Sequence, residues 1–277
     1  MRFSFAAGLV ALAIAAPAES QAPAAAPALT YADLADLSLA APVVAHVRLR
    51  SAARVDAERA PGLAPGHTRF YVVADLVSLI RGVQGMPARV SYLADLPNGP
   101  DGRPAKLAKK SEMIVLAATV PGRPGELRLT GRDSQIPYTP QAAATLRAIL
   151  TEATRVGAPP AIAGIGKAFH VPGAIPGESE TQIFLLAADN RPVSLNVIRR
   201  PGEQPMWAVA LSEIVDDAAA PPEPNSLLWY RLACTLPRTL PRQSYADAEG
   251  EQAAAIQADY RYILQRLGPC PRTRARR

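Results

Sequence analysis

Over most of this chain apolar residues return at every second position, and in a few stretches at every third or fourth, a pattern that predicts a mainly β protein with a few helices. Residues 43–49 set Val43, Ala45, Val47 and Leu49 against Val44, His46 and Arg48. Residues 70–80 read as one long strand or a bent pair, and residues 88–96 as the next. Residues 112–120 and 126–131 add two more around a Pro121-Gly122-Arg123-Pro124-Gly125 turn. Ahead of these strands, Thr30 and Asp33 form a T-x-x-D cap, Leu34 and Leu37 share a helical face, and Pro42 stops the helix. The Gly- and Pro-bearing segments 51–67 and 97–106 predict long exposed loops, where a partner would touch if they share one rim.

Five short strands with long first-to-second and third-to-fourth connections fit a small closed barrel, because an open sheet would leave two edges unprotected. This places an oligonucleotide/oligosaccharide-binding (OB)-like barrel at residues 30–133. A connecting helix follows at 138–157. Thr139 can cap it, Pro140 suits its first position, and Ala142, Leu146, Ile149, Leu150 and Ala153 form its apolar face. Gly157, Pro159 and Pro160 end it and suggest a boundary between two small domains.

Residues 161–270 predict an antiparallel sheet packed with C-terminal helices. Residues 161–171 read as a glycine-bearing strand or bend, and 181–187, 192–198 and 205–215 form a meander. Val193, Leu195 and Val197 point one way, as do Trp207, Val209 and Leu211, so one sheet face needs a cover. Residues 226–234 suit either strand or helix; the helix would be capped at Asn225 or Ser226. A final helix, capped by Ser244 and Asp247 and ended by Gly268-Pro269, carries the stripe Ile256, Tyr260, Ile263, Leu264 and Leu267. The fold class is α+β, mainly β.

Across residues 31–131, the runs YADLADLSLAAPVVAHVRL, YVVADLVSLIRG, ARVSY and MIVLAA resemble the netrin-like and metalloproteinase-inhibitor-like barrels of secreted proteins. The resemblance implies a fold. In the animal inhibitors of that family an N-terminal cysteine engages the protease zinc. This stretch lacks cysteine, so the resemblance implies protease inhibition for no residue here.

Composition adds a compartment. Residues 1–18 have the form of an export signal: Arg2, then an uncharged run, then small residues at Ala16 and Ala18 in an A-x-A cleavage pattern. The run is shorter than the about 20 apolar residues a bilayer span needs, and no cysteine follows it for a lipid anchor. Residues 19–29 are an Ala- and Pro-rich flexible leader. The product is expected in the periplasm or outside the cell, with no membrane span. There Cys234 and Cys270, the only cysteines, pair most simply as a disulfide.

The formal charge of +6 suggests a polyanion partner until its location is considered. Arg2 leaves with the signal, and Arg272, Arg274, Arg276 and Arg277 sit in a basic tail, residues 271–277, that reads as a frayed, solvated end. The body is close to neutral and shows no basic face with interleaved aromatics, so nucleic acid is not an expected partner.

Motifs for chemistry fail on their own terms. His46, His67 and His170 match no zinc pattern, and no metal or cofactor is implied. Residues 164–169, GIGKAF, have Ala161 and Ala168 where a phosphate loop needs Gly and Ser or Thr. In residues 177–181, GESET, Thr181 replaces the second glycine of a hydrolase elbow. Asp216 and Asp217, with Asp101, Glu178 and Asp189, suit solvated loops. Arg199 and Arg200, beside a Pro201-Gly202 turn, are the one compact basic feature of the body and an anion-binding candidate.

These observations favour an exported, non-catalytic binding protein with an unknown protein or envelope partner. An exported hydrolase with a site assembled from distant residues is one alternative. A binder of anionic envelope polymers through the arginine tail is another. Expression of the full chain in a bacterium followed by N-terminal sequencing of the exported product should read Glu-Ser-Gln from Glu19; a product that retains Met1 would remove the export reading.

Overall fold

Strand β1 (Val43–Arg54) is buried on both faces over its first five residues, and the architecture follows from what covers each face. In the computed structural model, which describes residues 28–82, 84–212 and 220–274, one face looks into a barrel and the other onto helices. Val43, Ala45, Val47 and Leu49 enter the barrel core with Phe70, Val72, Tyr92, Val115 and Leu127. Val44 faces outward with Ile114 and Leu116, into a second core that begins at the helices. The signal expected at residues 1–18 and the leader expected at 19–29 lie outside the described residues, apart from the leader's last two positions.

The barrel is built from β1, β2 (His67–Arg81), β3 (Arg89–Pro97), β4 (Glu112–Val120) and β5 (Arg123–Leu129). Its order is β1-β2-β3-β5-β4, and a β1–β4 ladder from Val43↔Ala117 to Arg48↔Glu112 closes it. All neighbours are antiparallel except β3 and β5. Three register shifts along β1–β2 let the 15-residue β2 bend around the wall as one strand rather than two. The strand after Leu49 also runs further than the alternation suggests, through Arg54, so only residues 55–66 loop out. A short strand unseen in the sequence pattern, β6 (Gln135–Pro137), pairs with β4.

Helix α1 (Tyr31–Leu39) begins with the Thr30/Asp33 capping box, and α2 (Pro140–Thr154) with the Thr139 cap and Pro140. Their apolar faces cover Ile114, Leu116 and Ile136 on the outside of the barrel. The second half is the meander β7 (Ile162–Pro172), β8 (Ser179–Ala187), β9 (Pro192–Arg199) and β10 (Met206–Ala210), followed by α3 (Leu227–Ala233) and α4 (Gly250–Leu267). Residues 226–234 resolve as helix, with the Ser226 hydroxyl accepting from Trp229 N. Ile183, Leu195, Val197 and Trp207 meet Ile256, Tyr260 and Ile263 on the covered sheet face, whereas Phe169, Phe184, Leu186 and Met206 are exposed on the other. Residues 157–160 separate elements but not cores, because one apolar cluster runs from the barrel's outer face through all four helices to the sheet.

Ser244 and Asp247 do not cap α4, which starts at Gly250 after Glu249 with no side-chain cap. Ser244 lies buried in a 3-10 turn, Arg242–Tyr245, and Asp247 pairs with Lys167 Nζ at 2.6 Å. Burial of Tyr245 and Ala248 anchors this stretch before the helix begins. The tail, expected to fray, is ordered by internal partners through residue 274. Arg272 Nε donates to Asp36 Oδ2 at 2.7 Å, and the Arg274 guanidinium pairs with Asp133. Arg276 and Arg277 lie outside the described residues.

The tail is reached through the Cys234–Cys270 disulfide, which joins the ends of α3 and α4. A closed loop with the cysteines 36 positions apart contributes about 4 kcal/mol in the loop-entropy model. At the far end, buried Asp33 accepts hydrogen bonds from Thr30 N (3.0 Å), Thr273 N (3.0 Å), Thr273 Oγ1 (2.7 Å) and Arg274 N (3.3 Å). Burial alone would raise the Asp33 pKa, but the bonds from Thr273 and Thr30 bring it from 3.8 down to about 2. The folded value lies below the unfolded one, so this stabilisation is complete above pH 4 and disappears as pH falls toward 2. Asp33→Asn should therefore lose about 2 kcal/mol at pH 7 and little at pH 2. Urea unfolding at both pH values checks this; equal losses at the two would refute the role of the charge.

Candidate functional site

The groove that stands out on the barrel begins where two parallel strands part. β3 and β5 are bridged at Ser91↔Glu126 and Tyr92↔Leu127 and nowhere beyond. At the closed end Gly125, with φ +80°, brings β5 so near β3 that a Cβ there would lie 2.9 Å from Arg89 O. Beyond Leu129 the chain stays with β4 instead: Thr130 N donates to Leu116 O at 3.1 Å, and Leu116 N to Ser134 O at 2.8 Å. Meanwhile β3 follows β2 all the way to Pro97↔His67. The wall opens between them into a groove of about 430 Å³.

Its floor is Tyr92 and Leu127, both buried in the barrel core, and the Tyr92 hydroxyl donates to Gln135 Oε1 at 2.7 Å. One flank carries Tyr71 and Leu93, register partners on β2 and β3 that remain 45% and 49% exposed. The other flank carries Arg128 and Arg132, both exposed. Near the rim Arg69 donates to both Asp95 oxygens, at 2.6 and 2.8 Å, and to Pro61 O at 3.2 Å. The Arg69 guanidinium holds the Asp95 carboxyl below its usual range, and this pair leaves Arg128 and Arg132 to set the local sign.

The two long loops do meet on this rim. Asn98 N donates to Gly66 O at 2.8 Å, and Thr68 Oγ1 to Asn98 Oδ1 at 2.7 Å. A second concavity of about 520 Å³ lies by Arg48, Arg50, Asp75, Lys109 and Lys110. There Arg48 is engaged with Glu112, and Arg50 and Arg89 with Asp75. The strand alternation held a signal for the main groove. Val90, Tyr92 and Ala94 point inward, so Leu93 is an apolar residue in the outward phase.

The sequence-derived candidates fall elsewhere. Arg199 is engaged internally: its Nε donates to Asp259 Oδ1 at 2.9 Å, and its Nη2 reaches the same oxygen. Asp259 is buried, which explains why a guanidinium sits at the end of β9. Arg200 is exposed and begins the following turn, with Glu203 N donating to its carbonyl. The structure does not join the two arginines into one anion site.

The same carboxylate links the polar groups of the sheet. Thr181 Oγ1 donates to Asp259 Oδ2 at 2.5 Å and lies 2.8 Å from His170 Nδ1. The hydroxyl has one proton and gives it to the carboxylate, so the imidazole must donate to the hydroxyl oxygen. Thr181 is fully buried with that proton committed, an arrangement that docks α4 on the sheet rather than activating a nucleophile.

His46 stacks on Tyr138, with ring centroids 3.7 Å apart, and its Nε2 lies 3.1 Å from Glu112 Oε2; His67 Nδ1 lies 3.0 Å from Pro65 O. Lys167 of the GIGKAF run pairs with Asp247, and a Cβ at Gly166 would lie 3.4 Å from the Phe184 carbonyl oxygen. Asp216 and Asp217 lie outside the described residues. Among the described residues, no group of three or more His, Cys, Asp or Glu side chains is placed to hold a metal ion, and no helix is long and apolar enough to cross a membrane.

Arg199→Leu should lower stability by about 2 kcal/mol by leaving the buried Asp259 carboxylate without its cation, while Arg199→Leu with Asp259→Leu should recover much of that loss. Urea unfolding of these two variants and of Asp259→Leu alone measures the coupling, and an Arg199→Leu variant as stable as the parent would show that the pair is immaterial. Set against known proteins, the chain matches no family model and no curated protein.

Proposed function

We propose that this chain is an exported, non-catalytic binding protein that holds a protein or envelope partner in the groove between β3 and β5. The observation that carries the reading is the exposed Tyr71–Leu93 pair, facing Arg128 and Arg132 across a gap in the barrel wall. Aromatic and aliphatic groups with a few convergent charges form the usual lining of a binding cleft. The rim loops add a further contact surface beside it.

The export pattern of residues 1–18 supports a periplasmic or secreted setting, and the Cys234–Cys270 pair is compatible with an oxidising compartment. We retain the netrin-like resemblance as part of this proposal, supported by the closed five-stranded barrel. The hydrolase alternative draws nothing from Thr181 and His170, for the reasons of burial and proton placement above. Recognition of anionic polymers through the tail is disfavoured by the internal engagement of Arg272 and Arg274.

A photo-reactive side chain placed at Leu93 should capture a partner in the exported fraction, whereas one at Val156, fully exposed beyond the end of α2, should not. Equal labelling from both positions, or none from Leu93, would sink the groove as the binding site.

A further inference from the structure

We propose that the groove takes an acidic, extended peptide segment that adds as a strand along β3, a reading that rests on the binding function proposed above. The first support is the backbone. Residues 93–97 of β3 are laddered to β2 on one side, but no β5 residue pairs with them on the other. Arg128 and Leu129 of β5 are laddered to β4 and have no partner in β3. Two strand edges therefore face each other across the opening, and an unpaired edge is a template for another strand. The exposed edge of β3 would accommodate an extended segment of about five residues at about 3.3 Å per residue.

The second support is the arrangement of side chains. A strand laid beside β3 alternates its side chains between the two sides of the wall. Those pointing inward would rest on Tyr92 and Leu127, which favours small apolar residues. Those pointing outward would lie between Leu93 on one flank and Arg128 and Arg132 on the other, which favours aspartate or glutamate. Asp95 does not oppose this, since Arg69 binds both its oxygens. Glu126, the other acid of the groove, is paired with Arg123. The fit is thus to a peptide with acids at alternate positions, which a lysine-rich or proline-rich segment would not meet.

The test selects binders from a displayed library of random octapeptides, using the full exported chain with its disulfide intact. Selected sequences should be rich in Asp and Glu at alternating positions. Their affinity should fall about tenfold or more in the variant Arg128→Glu with Arg132→Glu. Methylation of alternate backbone amides should cost about tenfold on the face toward β3 and less on the opposite face, where β5 offers an unpaired edge only at Arg128 and Leu129. Thermal unfolding of the variant, unchanged from the parent, would show that the loss is not misfolding.

A library that yields no binder, binders indifferent to amide methylation, or binders unaffected by the charge reversal would overturn the proposal. Dextran sulfate binding at the groove with no peptide selected would assign it to polyanions instead. If Leu93 cross-linking persists while the peptide test fails, the binding function survives and the strand-addition reading does not. If both fail, both fall.

Discussion

The structure depends on the apolar outer face of its own barrel. A barrel of five strands can fill its interior unaided, but Val44, Ile114, Leu116 and Ile136 leave this one apolar on the outside as well. Water cannot cover that surface without cost, so α1 and α2 lie on it. Helices packed on one side would in turn expose their remaining apolar positions, and α3, α4 and the four-stranded sheet close over those. The second half of the chain is thus the outer shell of a core that starts on the barrel, which is why a Gly- and Pro-rich break at 157–160 divides elements without dividing the interior.

Polar contacts hold the layers in register. Asp259 reaches from α4 to Thr181 and Arg199 on two sheet strands, while Asp36 of α1 receives the Tyr230 hydroxyl of α3 at 2.6 Å and the guanidinium of Arg272. Apolar packing is largely indifferent to rotation about a helix axis, whereas a carboxylate with fixed donors is not. The layers therefore owe their cohesion to hydrophobic burial and their relative placement to a few carboxylates, each satisfied by a residue from another element.

Local features were the legible ones. Thr30 with Asp33, Thr139 with Pro140, and the alternation at Val43, Ala45 and Val47 act over a few residues, and each formed the element its pattern predicts. The final helix misled because Ser244 and Asp247 have a cap's spacing but other partners: tertiary packing buries one and Lys167 takes the other. The tail misled in the same way, since its four arginines look alike in sequence and only the fold brings Asp36 and Asp133 to two of them. For the groove, Leu93 stood out of phase in the sequence. Its neighbours Arg128 and Arg132 did not stand out, because the parting of two parallel strands is a matter of long-range register that no local pattern records.

The clasp at Asp33 also has a temporal meaning. Thr273, which completes the surroundings of that carboxylate, follows it by 240 positions. A chain made from its N-terminus, or threaded through a membrane in that direction, must hold its first helix with an unfinished polar end until nearly all of the sequence has emerged. The last donors to Asp33 can then arrive only with the final stretch of the chain, so this clasp closes among the latest contacts to form.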